Sequence, residues 1–241
     1  MVIEIIAEGE PIGMQSRILL FDIDGTLLST GGAGQIAMEQ ALAAEFDVPM
    51  PMDNIPTAGR TDRGIENDVF SRYGIEISDA NRQRFMEGYL QRLPDCLSQL
   101  DGGLLPGVPQ LLQSLSQRSD VYLSLLTGNY QRGAWTKLKY FGIDGFFTEG
   151  AFGDLHADRD DLARVAMDLM SERMQRVVAG SEIIVIGDTP ADIRCARAIG
   201  ATVVAVATGI YSAEQLQERQ PDLLLTDFRD TERVVSGLLN V

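Results

Sequence analysis

The apolar run Ile18-Leu19-Leu20-Phe21 ends on two aspartates one residue apart, Asp22 and Asp24, followed by Gly25-Thr26-Leu27. Such a run ending in a turn reads as a strand. Residues i and i+2 of a strand point the same way, so both carboxylates leave the sheet edge on one side. Two carboxylates that close repel each other and stay ionised together only when something positive sits between them. A divalent cation is the obvious candidate.

Beyond this strand the rhythm of the chain changes twice. Leu28 to Gly34 is a Gly- and Thr-containing loop suited to a hinge, and from Gln35 apolar residues recur at helical spacing through Ile36, Met38, Leu42 and Phe46. Thr61 and Asp62 cap a second helix carrying Ile65, Val69, Phe70 and Tyr73, and a third starts at Ser78-Asp79 and is interrupted by Pro94. With no convincing strand between Gly31 and Gly103, residues 31–103 read as a helical insertion. The rest alternates. Helices are expected over 108–115, 130–141, 160–170, 191–199, 213–219 and from Thr231; strands over 121–126, near Phe146-Phe147, and over 183–186, 202–207 and 223–225. Strands separated by helices imply an α/β fold with a doubly wound parallel sheet, formed by residues 1–30 and 104–241, with ligands bound beyond the carboxyl ends of the strands.

Composition narrows the partners. A formal net charge of −15 argues against a nucleic-acid or anionic-membrane surface, because both reward clustered Lys and Arg. A phosphorylated small molecule stays open, since a local cluster and a metal can reverse the sign inside a pocket. Cys96 and Cys195 lie far apart, which fits buried small hydrophobes and a reducing, cytoplasmic setting. No apolar run approaches membrane-span length. Met1 to Ser16 lacks the basic start and long apolar centre of a secretory signal; it reads as a short extra strand or loose arm, with Met14 an alternative start.

Three polar groups fall just after strand ends: Asp22-Ile23-Asp24-Gly25-Thr26, Leu125-Leu126-Thr127-Gly128-Asn129, and Ile186-Gly187-Asp188-Thr189-Pro190-Ala191-Asp192. Singly, each is what turns and helix caps also use. Together they converge on one pocket. In order, strand context and spacing the chain resembles the haloacid dehalogenase-like hydrolases, phosphatase branch, from about Arg17 onward, with a helical cap inserted after the first strand.

That resemblance implies an aspartyl-phosphate chemistry. Asp22 would attack the phosphoryl group, and Asp24 would protonate the leaving oxygen and later take a proton from water. Mg2+ would be held by Asp22, the Asp24 backbone carbonyl and Asp188, with Asp192 supporting directly or through water. Thr127, Gly128 and Asn129 would bind phosphate oxygens through the hydroxyl and nearby backbone N–H groups, and Gly25 permits the tight turn. An aspartate at position 24 implies a phosphatase or phosphomutase and disfavours halide release.

One part of the pattern is missing. Where such hydrolases carry a lysine beside the nucleophile, this chain has Asp154-Leu155-His156-Ala157-Asp158-Arg159-Asp160-Asp161-Leu162. Arg159 is the nearest cation. Lys137, in the helix after Thr127, is a second candidate, although a solvated helix face is the plainer reading of it. The sole histidine, His156, reads as a polar loop residue. Gly59-Arg60-Thr61-Asp62-Arg63 resembles the Gly-x-Thr-Asp turn of phosphoglycolate phosphatase-like relatives. Arg60 there suits either a substrate anion or a plain surface role. No Gly-Lys dipeptide exists for a nucleotide loop, and neither cysteine has an Arg six positions on, as a cysteine phosphatase needs. The expected activity is Mg2+-dependent hydrolysis of a small phosphate monoester by a monomer or homodimer. A sugar-phosphate mutase and a catalytically reduced binding protein are the rivals.

Overall fold

A computed structural model describes residues 17–48 and 55–241. The expectation for the first 16 residues lies outside them. Strand β1 (Arg17–Phe21) carries alternating residues onto two faces, and the sequence fills both: Leu19 and Phe21 join one apolar cluster, Ile18 and Leu20 the other. A strand greasy on both faces must lie inside a sheet covered by helices. It does: β1 is flanked by β4 (Val121–Thr127) and β6 (Ile183–Gly187) in a six-stranded parallel sheet. Outside β4 lies β5 (Gly150–Phe152), and outside β6 lie β7 (Thr202–Val206) and β8 (Leu223–Leu225).

Helices α4 (Val108–Ser116), α5 (Gln131–Tyr140) and α9 (Thr231–Asn240) cover the Leu19 face. The Ile18 face is covered by α6 (Arg159–Arg173), α7 (Pro190–Ala198) and α8 (Ala213–Gln217). Register then places the site. Phe21 pairs with Leu125 on one side and Ile186 on the other, so the three central strands end at the same level, and the Asp22 N–H still bonds the Ile186 carbonyl at 2.9 Å. The polar groups that follow each strand emerge side by side.

Between β1 and β4 stand α1 (Ala33–Phe46), α2 (Asp62–Tyr73) and α3 (Asp79–Gln99), which bury a third apolar cluster that also takes in Tyr130 from the sheet domain. Thr61 caps α2 by accepting the Gly64 N–H at 3.0 Å.

Three local expectations are corrected. Pro94 lies inside α3 and does not interrupt it: Leu93 before it and Cys96 and Leu97 after it are all buried on the helical core, and packing on both sides offsets the hydrogen bond that proline removes. The strand expected at Phe146-Phe147 is β5, shifted to Gly150–Phe152; a 3-10 turn holds Asp144–Phe146, and Phe147 instead packs its ring edge-on to Phe21 at 6.2 Å. The hinge loop contains β2 (Leu28–Ser29), antiparallel to β3 (Gly103–Leu104). This two-residue ribbon ties together the chain's exit to the helical segment and its return.

Candidate active site

Glycine is required at the turn after β1. Gly25 has φ 84°, and a Cβ there would lie 2.3 Å from Asp188 Oδ2. The turn thereby brings β1 and β6 loops into contact: Thr26 Oγ1 donates to Asp188 Oδ1 at 3.0 Å, and Thr208 Oγ1 donates to the Gly25 carbonyl at 2.7 Å.

Asp22, Asp188 and Asp192 are all buried, with one carboxylate oxygen of each inside a 4.8 Å group. Arg159, the first residue of α6 and itself buried, supplies the charge beside them. Its Nη2 lies 3.1 Å from Asp22 Oδ2, 2.5 Å from Asp192 Oδ1 and 3.4 Å from the Leu126 carbonyl. Asp192 has a second duty, because its Oδ2 accepts from the Thr189 N–H (2.9 Å) and Thr189 Oγ1 (2.7 Å) and so closes the N-terminus of α7.

One guanidinium does not neutralise three acids. Burial pushes the Asp22 carboxyl up to about 6 despite the pull of Arg159, and burial, then Asp192 and Asp22, push Asp188 to about 8. A buried, oxygen-only cluster short of positive charge fits a hard divalent cation such as Mg2+.

Asp24 has a cation of its own. Lys137, expected on a solvated face, is instead buried: α5 turns it inward, and its Nζ donates to Asp24 Oδ2 at 2.6 Å and to Asn129 Oδ1 at 2.5 Å. Asn129 Nδ2 bridges Asp24 Oδ2 (2.8 Å) and Thr127 Oγ1 (2.7 Å). Of the two candidates for the missing lysine, Arg159 lies against Asp22 and Lys137 against Asp24.

The helical segment reaches these loops through the Gly59–Arg63 turn. The Asp62 N–H donates to the Gly128 carbonyl (2.7 Å), Thr61 Oγ1 to the Ala157 carbonyl (3.0 Å) and Arg63 Nε to the Asp154 carbonyl (2.8 Å). Gly128 is obligatory here, since a Cβ would stand 2.0 Å from the Arg60 carbonyl. Arg60 lines the cavity, but its guanidinium is held by Asp68 at 2.7 Å. His156 sits in a loop and is not among the cavity-lining residues. Both cysteines are free and buried.

Asp62, in the Gly59–Arg63 turn, and Tyr89 of α3 also line the cavity. Asp62 Oδ2 accepts the Tyr130 N–H at the start of α5 (2.7 Å), and burial pushes its carboxyl to about 7, with Lys137 and that N–H pulling the other way. A carboxyl raised on folding stabilises the fold fully below its unfolded pKa near 3.8 and loses that contribution as pH rises through about 7. Asp62→Asn is therefore expected to gain stability relative to the parent between pH 4 and pH 8, on the order of 2–4 kcal/mol, in urea titrations at the two pH values. Equal differences at both would contradict the assignment.

The cavity holding these groups has a volume of about 480 Å3. A family model for haloacid dehalogenase-like hydrolases matches residues 19–206, the span carrying both acids, both cations and the Asp188–Asp192 turn. The chain belongs to the haloacid dehalogenase-like hydrolase family. As such it is an enzyme. Among relatives of this hydrolase, a phosphoglycolate phosphatase of Caulobacter vibrioides is 28% identical over 234 residues, covering 94% of this chain and 93% of its own. Another, of Agrobacterium fabrum, is 25% identical over 221 residues, covering 88% and 89%. A solved hydrolase from Pseudomonas syringae shares the fold at TM-score 0.70 and 24% identity, over 92% of this chain and 99% of that one. Among the described residues no helix is long and apolar enough to cross a membrane.

Proposed function

We propose that this hydrolase is a Mg2+-dependent phosphatase of phosphoglycolate phosphatase-like type, acting on a small phosphate monoester through an aspartyl-phosphate. The observation that carries the reading is the pairing of two acids one residue apart with two different cations, beside a buried third and fourth carboxylate. Names of relatives at about a quarter identity point the same way.

In this reading Asp22 attacks phosphorus while the bond to the leaving oxygen breaks, and Arg159 keeps the attacking carboxylate oriented. Asp24, the more exposed of the two acids, gives its proton to the leaving oxygen and takes one back from the water that cleaves the acyl phosphate. Lys137 and Asn129 hold it in place for both transfers. Thr127 and the Gly128-Asn129 turn bind phosphate oxygens. Asp22, Asp188 and the Asp24 backbone carbonyl would hold Mg2+, with Asp192 supporting from behind through Arg159 and Thr189. Bound there, Mg2+ supplies charge neutralisation for the anionic phosphoryl group. The helical segment serves as a cap that keeps water from the site, and the two free buried cysteines suit a cytoplasmic setting.

Phosphate release from a panel of esters, with Mg2+ and with chelator, tests this. Release that disappears with chelator is expected, with free phosphate and not an isomer as product. No release from any ester, or release unaffected by chelator, would contradict it.

A further inference from the structure

Helix α5 starts without a side-chain cap of its own. The N–H groups at its start are taken by carboxylates from elsewhere: that of Tyr130 by Asp62 Oδ2 at 2.7 Å, that of Gln131 by Asp154 Oδ2 at 2.8 Å. The Tyr130 hydroxyl is held as well. It is buried and donates to Glu66 Oε2 at 2.5 Å. Asp62 and Glu66 stand at i and i+4 on α2, one turn apart, so one face of that helix grips one residue of the sheet domain at two points.

A carboxylate buried as deeply as Glu66 needs full pairing. Arg82 of α3 and Arg63 (3.3 Å) supply the charge, and Tyr130 supplies a hydroxyl. Arg63 also donates to the Asp154 carbonyl, which closes a ring: Glu66 to Arg63, Arg63 to Asp154, Asp154 to Gln131, and through Tyr130 back to Glu66. An apolar pair in place of Glu66 and Tyr130 would join the two domains with no charge to desolvate. Hydrogen bonds fix direction as well as distance, which apolar packing does not. The ring therefore sets where the start of α5 stands.

What depends on that start is the acid of the proposed mechanism. Asn129 directly precedes Tyr130, and Lys137 follows it by two turns of α5. Both side chains reach the same atom, Asp24 Oδ2, at 2.8 and 2.6 Å, and they reach each other at 2.5 Å. A shift of Tyr130 moves both. We propose that Tyr130 and Glu66 are positioning residues for proton transfer: Glu66 of α2 fixes Tyr130, and Tyr130 thereby fixes Asn129 and Lys137 against Asp24. This rests on the phosphatase reading above, in which Asp24 protonates the leaving oxygen.

Two esters of nearly the same shape separate proton transfer from the rest of the reaction. p-Nitrophenoxide leaves phosphorus with little need of a proton and phenoxide with much more. The ratio of kcat/KM for p-nitrophenyl phosphate to that for phenyl phosphate, with Mg2+, therefore reads how well Asp24 protonates the leaving oxygen. Tyr130→Phe keeps the ring and the N–H held by Asp62 and gives up only the hydroxyl. It is expected to raise the ratio about tenfold, a part of what a well-placed general acid contributes. Glu66→Gln, which leaves the hydroxyl an uncharged and weaker acceptor, is expected to raise it as well. In an Asp24→Asn background no acid remains to be positioned, so the ratio starts high and Tyr130→Phe raises it no further. A merely structural role lowers kcat/KM for both esters by one factor and leaves the ratio unmoved. An unchanged ratio in Tyr130→Phe or in Glu66→Gln, or a rise as large in Asp24→Asn as in the parent, overturns the positioning role while the phosphatase reading stands. A parent enzyme that releases phosphate from neither ester overturns both.

Discussion

Asp22→Asn is expected to lower the rate of phosphate release about 10³-fold or more while the protein stays folded. An amide keeps the shape of the side chain but gives up the nucleophilic oxygen, and loss of a nucleophile costs most of a covalent mechanism. Folding should survive. Burial already pushes the Asp22 carboxyl up to about 6, so a neutral side chain at this position relieves a cost, and Arg159 keeps Asp192 as its partner. The comparison needs both readouts. Activity near that of the parent, in a variant with an unchanged thermal transition, would remove Asp22 from the chemistry.

Arg159 carries the second large effect, and here two substitutions should part. Arg159→Met leaves Asp22 and Asp192 buried with no charge between them; removal of one partner of a buried ion pair typically costs about 3–5 kcal/mol. Activity should fall with it, since the attacking carboxylate loses its orientation. Arg159→Lys should behave differently, for a reason visible in the geometry. The guanidinium's contacts to Asp22, Asp192 and the Leu126 carbonyl are made by one nitrogen, Nη2, and Nε is buried without a partner. Three acceptors around one nitrogen are what an ammonium with three protons satisfies. The lysine variant is therefore expected to keep most of the stability and activity, with urea titration and phosphate release as the measurements. Equal damage from Met and Lys would show that the planar fork itself is needed.

The same residue shows how far the sequence could be read. Asp22, Thr127 and Asp188 were legible because strand ends are legible: a short apolar run followed by Asp or Thr places the polar atom at the sheet edge whatever the details of packing. Which cation serves which acid was not. Lys137 lies in a helix whose sequence is polar on several sides, and only the tertiary packing of α5 turns that lysine onto Asp24. At Pro94 a local rule about proline is overruled for a similar cause, by apolar contacts on both sides of it. The ribbon of β2 and β3 is two residues per strand, too short for any periodicity to register. Tyr89 recurs at helical spacing with Phe85 and Leu93, as a core residue would, and nothing in that pattern separates a buried hydroxyl with a partner from one without.

In the proposed mechanism Asp22 accepts the phosphoryl group. Reaction of the enzyme with a phosphate ester and Mg2+, followed by acid quench, borohydride reduction of any acyl phosphate and peptide mass spectrometry, asks this directly. Modification confined to the peptide carrying Asp22, at that residue, and absent from Asp22→Asn, is the result expected. Turnover with modification at another residue, or with none at Asp22 under conditions that trap a control acyl phosphate, would contradict it.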